Sequence, residues 1–233
     1  MQNKLFSIII PAHNEERYLA KCLCSIKNAM VKLPEKSVEV IVVSDRSNDR
    51  TENIASDFEC LIVRNNDNDM NFSSLVNMGV LVASGRIVLI LEPDCVISDY
   101  TLIEIYQMLR TRKYIGGAIF EKPERLSVGI VASSVYETAM SVPDIVKSKT
   151  PVFCNSFWCL RKDFNAIGGF NENLSETHFA DFAKRLKAYG LTQNKKYTIL
   201  QCSTVKRSSR RFDALGDWYP IKQNKYVKKI IKE

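Results

Sequence analysis

The residues of this 233-residue chain that could do chemistry gather in short polar stretches, each directly after an apolar run. Glu92-Pro93-Asp94 closes Ile87-Val88-Leu89-Ile90-Leu91. Two carboxylates one residue apart at a strand end offer hard oxygen ligands to a divalent cation, and a cation held there can neutralise a diphosphate leaving group. Pro11-Ala12-His13-Asn14-Glu15-Glu16 follows a first apolar run, and Ser44-Asp45-Arg46-Ser47-Asn48-Asp49-Arg50-Thr51 follows a second. Singly, Asn14 and Asn48 read as helix N-caps, and Glu15 and Asp49 as acids favoured at helix N-termini. Three such exits on one edge point instead to a shared site. Further along, Arg210 and Arg211 stand in Arg207-Ser208-Ser209-Arg210-Arg211, where guanidinium groups could clamp a diphosphate bidentately. The plain alternative is a solvated basic loop.

The elements that must position these residues alternate in kind. Strands are predicted over Leu5–Ile10, Val38–Val43, Leu61–Val63, Arg86–Leu91 and Tyr114–Phe120, all short and β-branched. Between them, helical spacing predicts Glu15–Met30, Asn48–Asp57, Phe72–Ala83 and Asp99–Arg110. This βαβ alternation predicts an α/β fold with a mostly parallel central sheet and helices on both faces. In such a sheet ligands bind at the carboxyl ends of the strands, where the polar stretches lie. Beyond Phe120 the pattern predicts a helix over Ser127–Met140, a strand over Val152–Leu160, a helix over Ser175–Tyr189 and a strand over Lys196–Val205.

Composition narrows the class. Hydrophobic residues make up 45% and charged residues 25%, values ordinary for a soluble globular protein. The seven cysteines have irregular spacing and form no Cys-x-x-Cys pair, so buried reduced thiols of a cytoplasmic protein are expected rather than a zinc site. The opening apolar run is cut short by Pro11, too early for a signal segment or a membrane span. The net charge of +7 is concentrated from Lys206 onward. That segment lacks interleaved stacking aromatics, which argues against nucleic acid as a partner. Tyr226–Lys232 could lie against the anionic inner face of a membrane and bring the protein to a lipid-linked partner, or form a frayed terminal helix.

Several of these stretches, taken in order, resemble one family. Ser7–Glu16 is similar to the opening strand of the family-2 glycosyltransferases of GT-A fold, and Val42–Thr51 to their acidic turn, V-D-D-G-S-x-D-x-T. Asn77-Met78-Gly79, Ala83-Ser84-Gly85 and Leu89–Asp94 resemble the N-x-G helix, the A-x-G turn and the D-x-D strand end. Gly168-Gly169-Phe170-Asn171-Glu172 resembles the G-G-F-D-E turn before the acceptor helix. The resemblance implies one GT-A-like domain over 1–233: a nucleotide-sugar half (1–95), an acceptor half (96–205) and a basic segment (206–233). It implies that Pro11, Ala12, Asn14 and Glu15 line the nucleoside pocket, that Asp45 holds the base, and that Asn77 and the Arg210–Arg211 pair complete the donor site. Asp94, helped by Glu92, would hold Mg²⁺ or Mn²⁺. The implied reaction is inverting transfer of a hexosyl or N-acetylhexosaminyl group from a nucleotide-diphospho-sugar, expected to be a UDP-sugar. The acceptor would be a saccharide or lipid-linked hydroxyl, as in polysaccharide or glycolipid biosynthesis.

Departures from the pattern keep two alternatives open. Ser44 replaces a first aspartate, Glu92 replaces the first aspartate of D-x-D, and Val76 stands where a basic residue often precedes N-x-G. The general base is the widest departure. Aligned on Glu176, Thr177 falls at the usual base position; aligned on Asp181 and Arg185-Leu186, Phe179 does. Threonine has no basic form near neutral pH. The candidates are then Glu176 at the helix mouth, His178, and Asp181. An Asp181–Arg185 ion pair four apart on one helix face is the structural alternative for the last. A degenerate transferase that only binds a nucleotide-sugar accounts for the same departures. A nucleotidyltransferase would want a glycine-rich loop after the first strand, and Pro11–Glu16 has no glycine.

Overall fold

The computed structural model describes residues 4–68, 70–136, 155–174 and 177–223. The first half builds β1 (Phe6–Ala12), α1 (Leu19–Met30), β2 (Val38–Asp45), α2 (Thr51–Asp57), β3 (Leu61–Asn65), α3 (Phe72–Val82), β4 (Ile87–Ile90), β5 (Cys95–Ile97) and α4 (Thr101–Arg110). The second builds β6 (Tyr114–Pro123), α5 (128–136), β7 (Phe157–Leu160), α6 (Arg161–Ala166), α7 (His178–Thr192), β8 (Lys196–Arg207), α8 (Arg210–Leu215) and α9 (Tyr219–Gln223).

The strands form an eight-stranded sheet in the order β3-β2-β1-β4-β7-β6-β8-β5. β1 pairs parallel with β2 and β4, β2 with β3, and β6 with β8; only β7 and β5 run antiparallel to their neighbours. The sheet is mostly parallel and covered on both faces, as the alternation predicts. Along β1 the pleat sends Phe6, Ile8 and Ile10 to one side, against Leu19, Leu23 and Ile26 of α1 and Leu102 and Ile105 of α4. Ile9 points the other way, into a cluster with Leu75, Val76 and Val80 of α3 and Phe182 and Leu186 of α7. A strand buried on both faces must be apolar throughout, so these segments read as unbroken hydrophobic runs. Close approach explains one glycine: a Cβ on Gly85 would lie 2.5 Å from the backbone of Phe6 and Ser7.

Some boundaries differ from expectation for physical reasons. α1 begins at Leu19 rather than Glu15, because the Glu15 and Glu16 amides donate to Thr51 Oγ1 (2.7 Å) and Asp49 Oδ2 (3.0 Å) across the site. The helix expected over Ser127–Met140 is present over 128–136, and its remainder lies outside the described residues. The strand expected from Val152 begins at Phe157, with residues 151–154 outside the description. The helix expected from Ser175 begins at His178, and Ser175 and Glu176 lie outside the description. β5, α6, α8 and α9 went unpredicted; each has three to six residues, too few for a period to show. All six described cysteines are free thiols, and Cys154 is not described. No helix among the described residues is long and apolar enough to cross a membrane.

Candidate active site

Sheet register brings the first three polar exits together. Ala12 pairs with Ser44, and the Leu91 amide donates to Ile9 O at 3.0 Å, so β2, β1 and β4 open side by side at one edge. Two of the exits are laced to each other. Asn14 Oδ1 accepts from the Asn48 amide at 2.9 Å, the Asn14 amide donates to Ser47 Oγ at 3.2 Å, and Glu16 Oε2 accepts from the Arg50 amide at 3.2 Å. Asn14 is therefore not a helix cap; with φ of 53° it turns the chain and ties the loops. His13 is exposed, and its Nδ1 lies 2.5 Å from Asp45 O.

Asp45 is buried at the end of β2. It is held by Arg46 through Nε at 2.9 Å and Nη2 at 3.0 Å, and by Asn65 Nδ2 at 2.8 Å. The Arg46 hydrogen bonds outweigh burial and hold the Asp45 carboxyl below its ordinary pKa. Arg46 occupies the glycine place of the family turn and has φ of 47°, a conformation costing a side chain about 1 kcal/mol or more. Its paired contact with Asp45 helps offset that cost.

The third exit lies in a charged cluster that reaches well beyond it. Glu92, Asp94, Glu121 of β6 and Glu15 face two arginines, Arg207 and Arg210. Arg207 Nη2 lies 2.6 Å from Glu92 Oε2, Nη1 lies 3.3 Å from Glu121 Oε2, and Nε lies 3.9 Å from Asp94 Oδ1. Arg210 Nη1 donates to both Glu15 oxygens at 2.9 and 2.7 Å, its Nε lies 3.1 Å from Asp94 Oδ2, and its guanidinium sits 4.9 Å from the Tyr18 ring. The short antiparallel pair of β5 and β8 is responsible: it sets Cys95 opposite Arg207, and the Ser208 amide donates to Asp94 O at 3.0 Å. Asn155 braces the cluster, donating through Nδ2 to Glu92 Oε2 at 3.1 Å and through its amide to Glu121 Oε1 at 2.9 Å.

Four carboxylates against two guanidinium groups leave the cluster short of positive charge. Burial, opposed by Arg207 and reinforced by Glu92, pushes the Glu121 carboxyl up to about 7. Burial likewise raises Glu15 despite Arg210. Oxygens of Glu92 and Asp94 lie within 4.8 Å of each other and of the Cys95 sulfur. Burial pushes the Cys95 thiol well up, and sulfur is a soft donor, so the two carboxylates are the hard ligands available. A cleft of about 340 Å³ lined by Tyr18, Lys21, Asp94, Lys206 and Ser208 opens onto the cluster.

The other expected residues fall in different places. Pro11 and Ala12 are buried at the end of β1. Asn77 is bonded to a turn in the second half of the chain: its Oδ1 accepts from the Phe170 amide (2.9 Å), and its Nδ2 donates to Phe170 O (2.9 Å) and Glu172 Oε1 (2.7 Å). It staples α3 to the Gly168–Glu172 turn. Arg211 is exposed and stacks 5.4 Å from the Tyr219 ring, so the second arginine of the cluster is Arg207 rather than Arg211. His178 packs among Phe72, Phe170 and Phe179, with ring centroids 5.2, 6.2 and 4.1 Å away. Asp181 pairs with Arg185 at 2.7 Å, and Arg185 also donates to Ile167 O and Gly169 O at 2.7 Å each. Glu176 lies outside the described residues. Sequence reasoning named Arg207 only as the start of the basic stretch and missed Glu121 and Asn155. Glu121 falls one residue beyond the predicted end of its strand, and Arg207 is placed by its pairing with the unpredicted β5.

Residues 7–167 match the model of "Glycosyl transferase family 2". Glycosyltransferase GlyG of Streptococcus pneumoniae serotype 4 is 25% identical over 114 residues, 47% of this chain and 36% of that protein. Dolichyl-phosphate beta-glucosyltransferase ALG5A of Trichomonas vaginalis is 30% identical over 108 residues, 42% of this chain and 33% of that one. The chain thus matches about a third of the length of these curated relatives. Among solved structures, S. aureus TarS in complex with UDP-GlcNAc superposes with a TM-score of 0.66 at 20% identity, covering 88% of this chain and 59% of that one. Glucosyl-3-phosphoglycerate synthase from Mycobacterium tuberculosis, in complex with Mn²⁺, UDP and phosphoglyceric acid, gives 0.60 at 15% identity, covering 94% and 76%. At such identities the likeness shows a shared fold, that of the GT-A glycosyltransferases. The family match covers well over half of the chain and reaches past all three strand exits, and the chain belongs to glycosyl transferase family 2.

Proposed function

We propose that this protein transfers a sugar from a nucleotide-diphospho-sugar, preferably a UDP-sugar, to a hydroxyl of a saccharide or lipid-linked acceptor, with inversion at the anomeric carbon. The observation that carries this reading is the convergence of three strand exits and two arginines at the carboxyl edge of a family-2 sheet. The rigid lacing of Asn14, Glu15 and Glu16 to Ser47–Thr51 supports a preformed nucleoside pocket floored by Pro11 and Ala12. Asp45, kept ionised and oriented by Arg46 and Asn65, accepts hydrogen bonds from the base. Arg210 has Asp94 and Glu15 as partners in the free protein and turns to the diphosphate when the donor binds, a bidentate contact suited to its fork.

The charge deficit around Glu92 and Asp94 fits a hard divalent ion, Mg²⁺ or Mn²⁺. When bound there, it would supply Lewis-acid neutralisation of the departing diphosphate. Arg207 holds that region's carboxylates together in the free protein. With Asp181 paired to Arg185 and His178 packed at tilted angles among phenylalanines, Glu176 is the assigned general base, removing the acceptor proton as its oxygen attacks.

Calorimetric titration with UDP and with GDP, each with and without Mn²⁺, tests the reading. UDP binding strengthened by Mn²⁺ is expected. No binding of either nucleotide at millimolar concentration would sink the donor site, and indifference to metal would remove Glu92 and Asp94 from their role. Glu176→Gln with unchanged turnover would dismiss the assigned base.

A further inference from the structure

A second cavity, of about 780 Å³, opens at the opposite edge of the sheet, where β1, β4 and β6 begin. The seven residues of β1 separate it from the donor edge by roughly 20 Å. Its lining is apolar at Leu5, Ile87, Leu109 and Leu160, with the rings of Tyr106 and Tyr114 beside them. Around these stand Arg86, Arg110, Arg112, Arg161, Lys162 and Lys195, and no aspartate or glutamate lines the cavity.

What makes these cations informative is that six of them share one concavity with no acid in its lining. The lack of an ion pair alone does not make them so, since Arg17, Arg50 and Arg211 elsewhere also form none with described residues. Arg46, Arg64, Arg125, Arg185, Arg207 and Arg210 each lie on a carboxylate. None of the six cavity cations forms a salt bridge with any described residue. The adjoining acid, Asp163, is buried and outside the lining; its carboxylate attracts Lys195 and Lys162 from beyond ion-pair distance, which leaves the four arginines without an acid. The six come from the α3–β4 link, the end of α4, the turn after it, the start of α6 and the turn before β8, so the fold itself assembles them. Two are already oriented: Arg161 Nε donates to Gly85 O at 2.9 Å, and Arg110 sits 5.6 Å from the Tyr106 ring. Like charges gathered around one concave surface raise its positive potential and favour a multiply charged anion over water.

We propose that this cavity is a second ligand site, for a molecule bearing two or more phosphate charges and an apolar portion that rests on the leucine and tyrosine lining. A soluble organic phosphate and a phospholipid headgroup share that chemistry.

The test uses the full chain saturated with UDP, so that the donor edge is blocked, and titrates inorganic pyrophosphate by calorimetry at low salt, where screening is weak. One further binding event is expected. The triple variant Arg86→Ala/Arg112→Ala/Lys195→Ala should weaken it by about tenfold or more while leaving UDP affinity unchanged, which also reports that the variant is folded. If UDP does not bind, the donor reading alone falls, and the same titration is run on an Arg210→Ala chain. Absence of pyrophosphate binding, or equal binding by the triple variant, overturns the proposal. Sedimentation with vesicles of phosphatidylcholine containing about 30 mol% phosphatidic acid, whose headgroup is a phosphate monoester, separates the sources. Vesicle binding lost in the triple variant assigns a headgroup; pyrophosphate binding without vesicle binding assigns a soluble phosphate. Vesicle binding that the triple variant retains in full counts against the cavity as the lipid contact.

Discussion

Replacing Arg207 with Met removes one positive charge and keeps most of the apolar stem. The guanidinium lies 2.6 Å from Glu92, 3.3 Å from Glu121 and 3.9 Å from Asp94, and its side chain is 24% exposed. At an effective dielectric of ~20, each contact near 4 Å is worth about 4 kcal/mol gross. Desolvation of the guanidinium cancels much of that sum, but removing one partner of a buried pair still costs roughly 3–5 kcal/mol. Partial exposure and proton uptake by Glu121, already pushed up to about 7, bring the expected loss to the lower end, about 3 kcal/mol. For a chain of this size that lowers the melting temperature by roughly 6–12 °C. The assay is thermal unfolding in EDTA and again in saturating Mn²⁺, for the native chain and the variant. Mn²⁺ should raise the melting temperature of the variant more than that of the native chain, because the ion replaces the missing charge without displacing an arginine. A variant that melts within about 2 °C of the native chain in EDTA, with the same Mn²⁺ shift, would refute the charge-deficit reasoning.

Three further outcomes are expected. Arg46 keeps the folded pKa of Asp45 below its ordinary value, so Asp45 contributes stability that is present above about pH 4 and lost as pH falls through the lower folded pKa. Asp45→Asn should therefore be less stable at neutral pH and flatter on the acid side, as read by urea midpoints across that range. Gly85→Ala forces a Cβ to within 2.5 Å of the Phe6 and Ser7 backbone and should cost about 3 kcal/mol in urea unfolding; a loss under about 1 kcal/mol would mean the turn can move aside. Asn77→Ala removes three hydrogen bonds to the Phe170–Glu172 turn and should cost about 2 kcal/mol with UDP affinity unchanged; a large loss of UDP affinity would return Asn77 to the donor pocket.

What the sequence made legible follows from which interactions are local. β1 to β4 are written as apolar runs because both faces of each are buried, and their polar exits could be read as one edge from the rule for parallel sheets. Glu92, Asp94 and Glu15 were visible in that way and Arg210 from its arginine-rich stretch, and the structure brings all four together. The places of Arg207 and Glu121 were not, since they reach the cluster through a three-residue strand and a register between β6 and β8 with two irregularities, neither of which has a sequence period. The partners of Asn77 and Arg211 in the free protein were hidden for a related reason: a motif position says what residue is present, whereas the side chain's partner depends on turns that fold in from elsewhere. Asn77 is claimed by residues more than ninety positions away.

The placing of β7 has a consequence for biogenesis. β4 pairs on one side with β1, but its other partner, Phe157–Leu160, lies about seventy residues downstream. At ordinary synthesis rates of about 5–20 residues per second, that partner follows roughly 4–14 s after β4 itself. During that interval the four-strand parallel unit presents the backbone edge of Ile87–Ile90, an entirely apolar strand, to whatever else is nearby. The nascent chain therefore passes through a defined window of vulnerability to mispairing, which closes when Trp158 and its neighbours insert between β4 and β6 and join the two halves of the sheet.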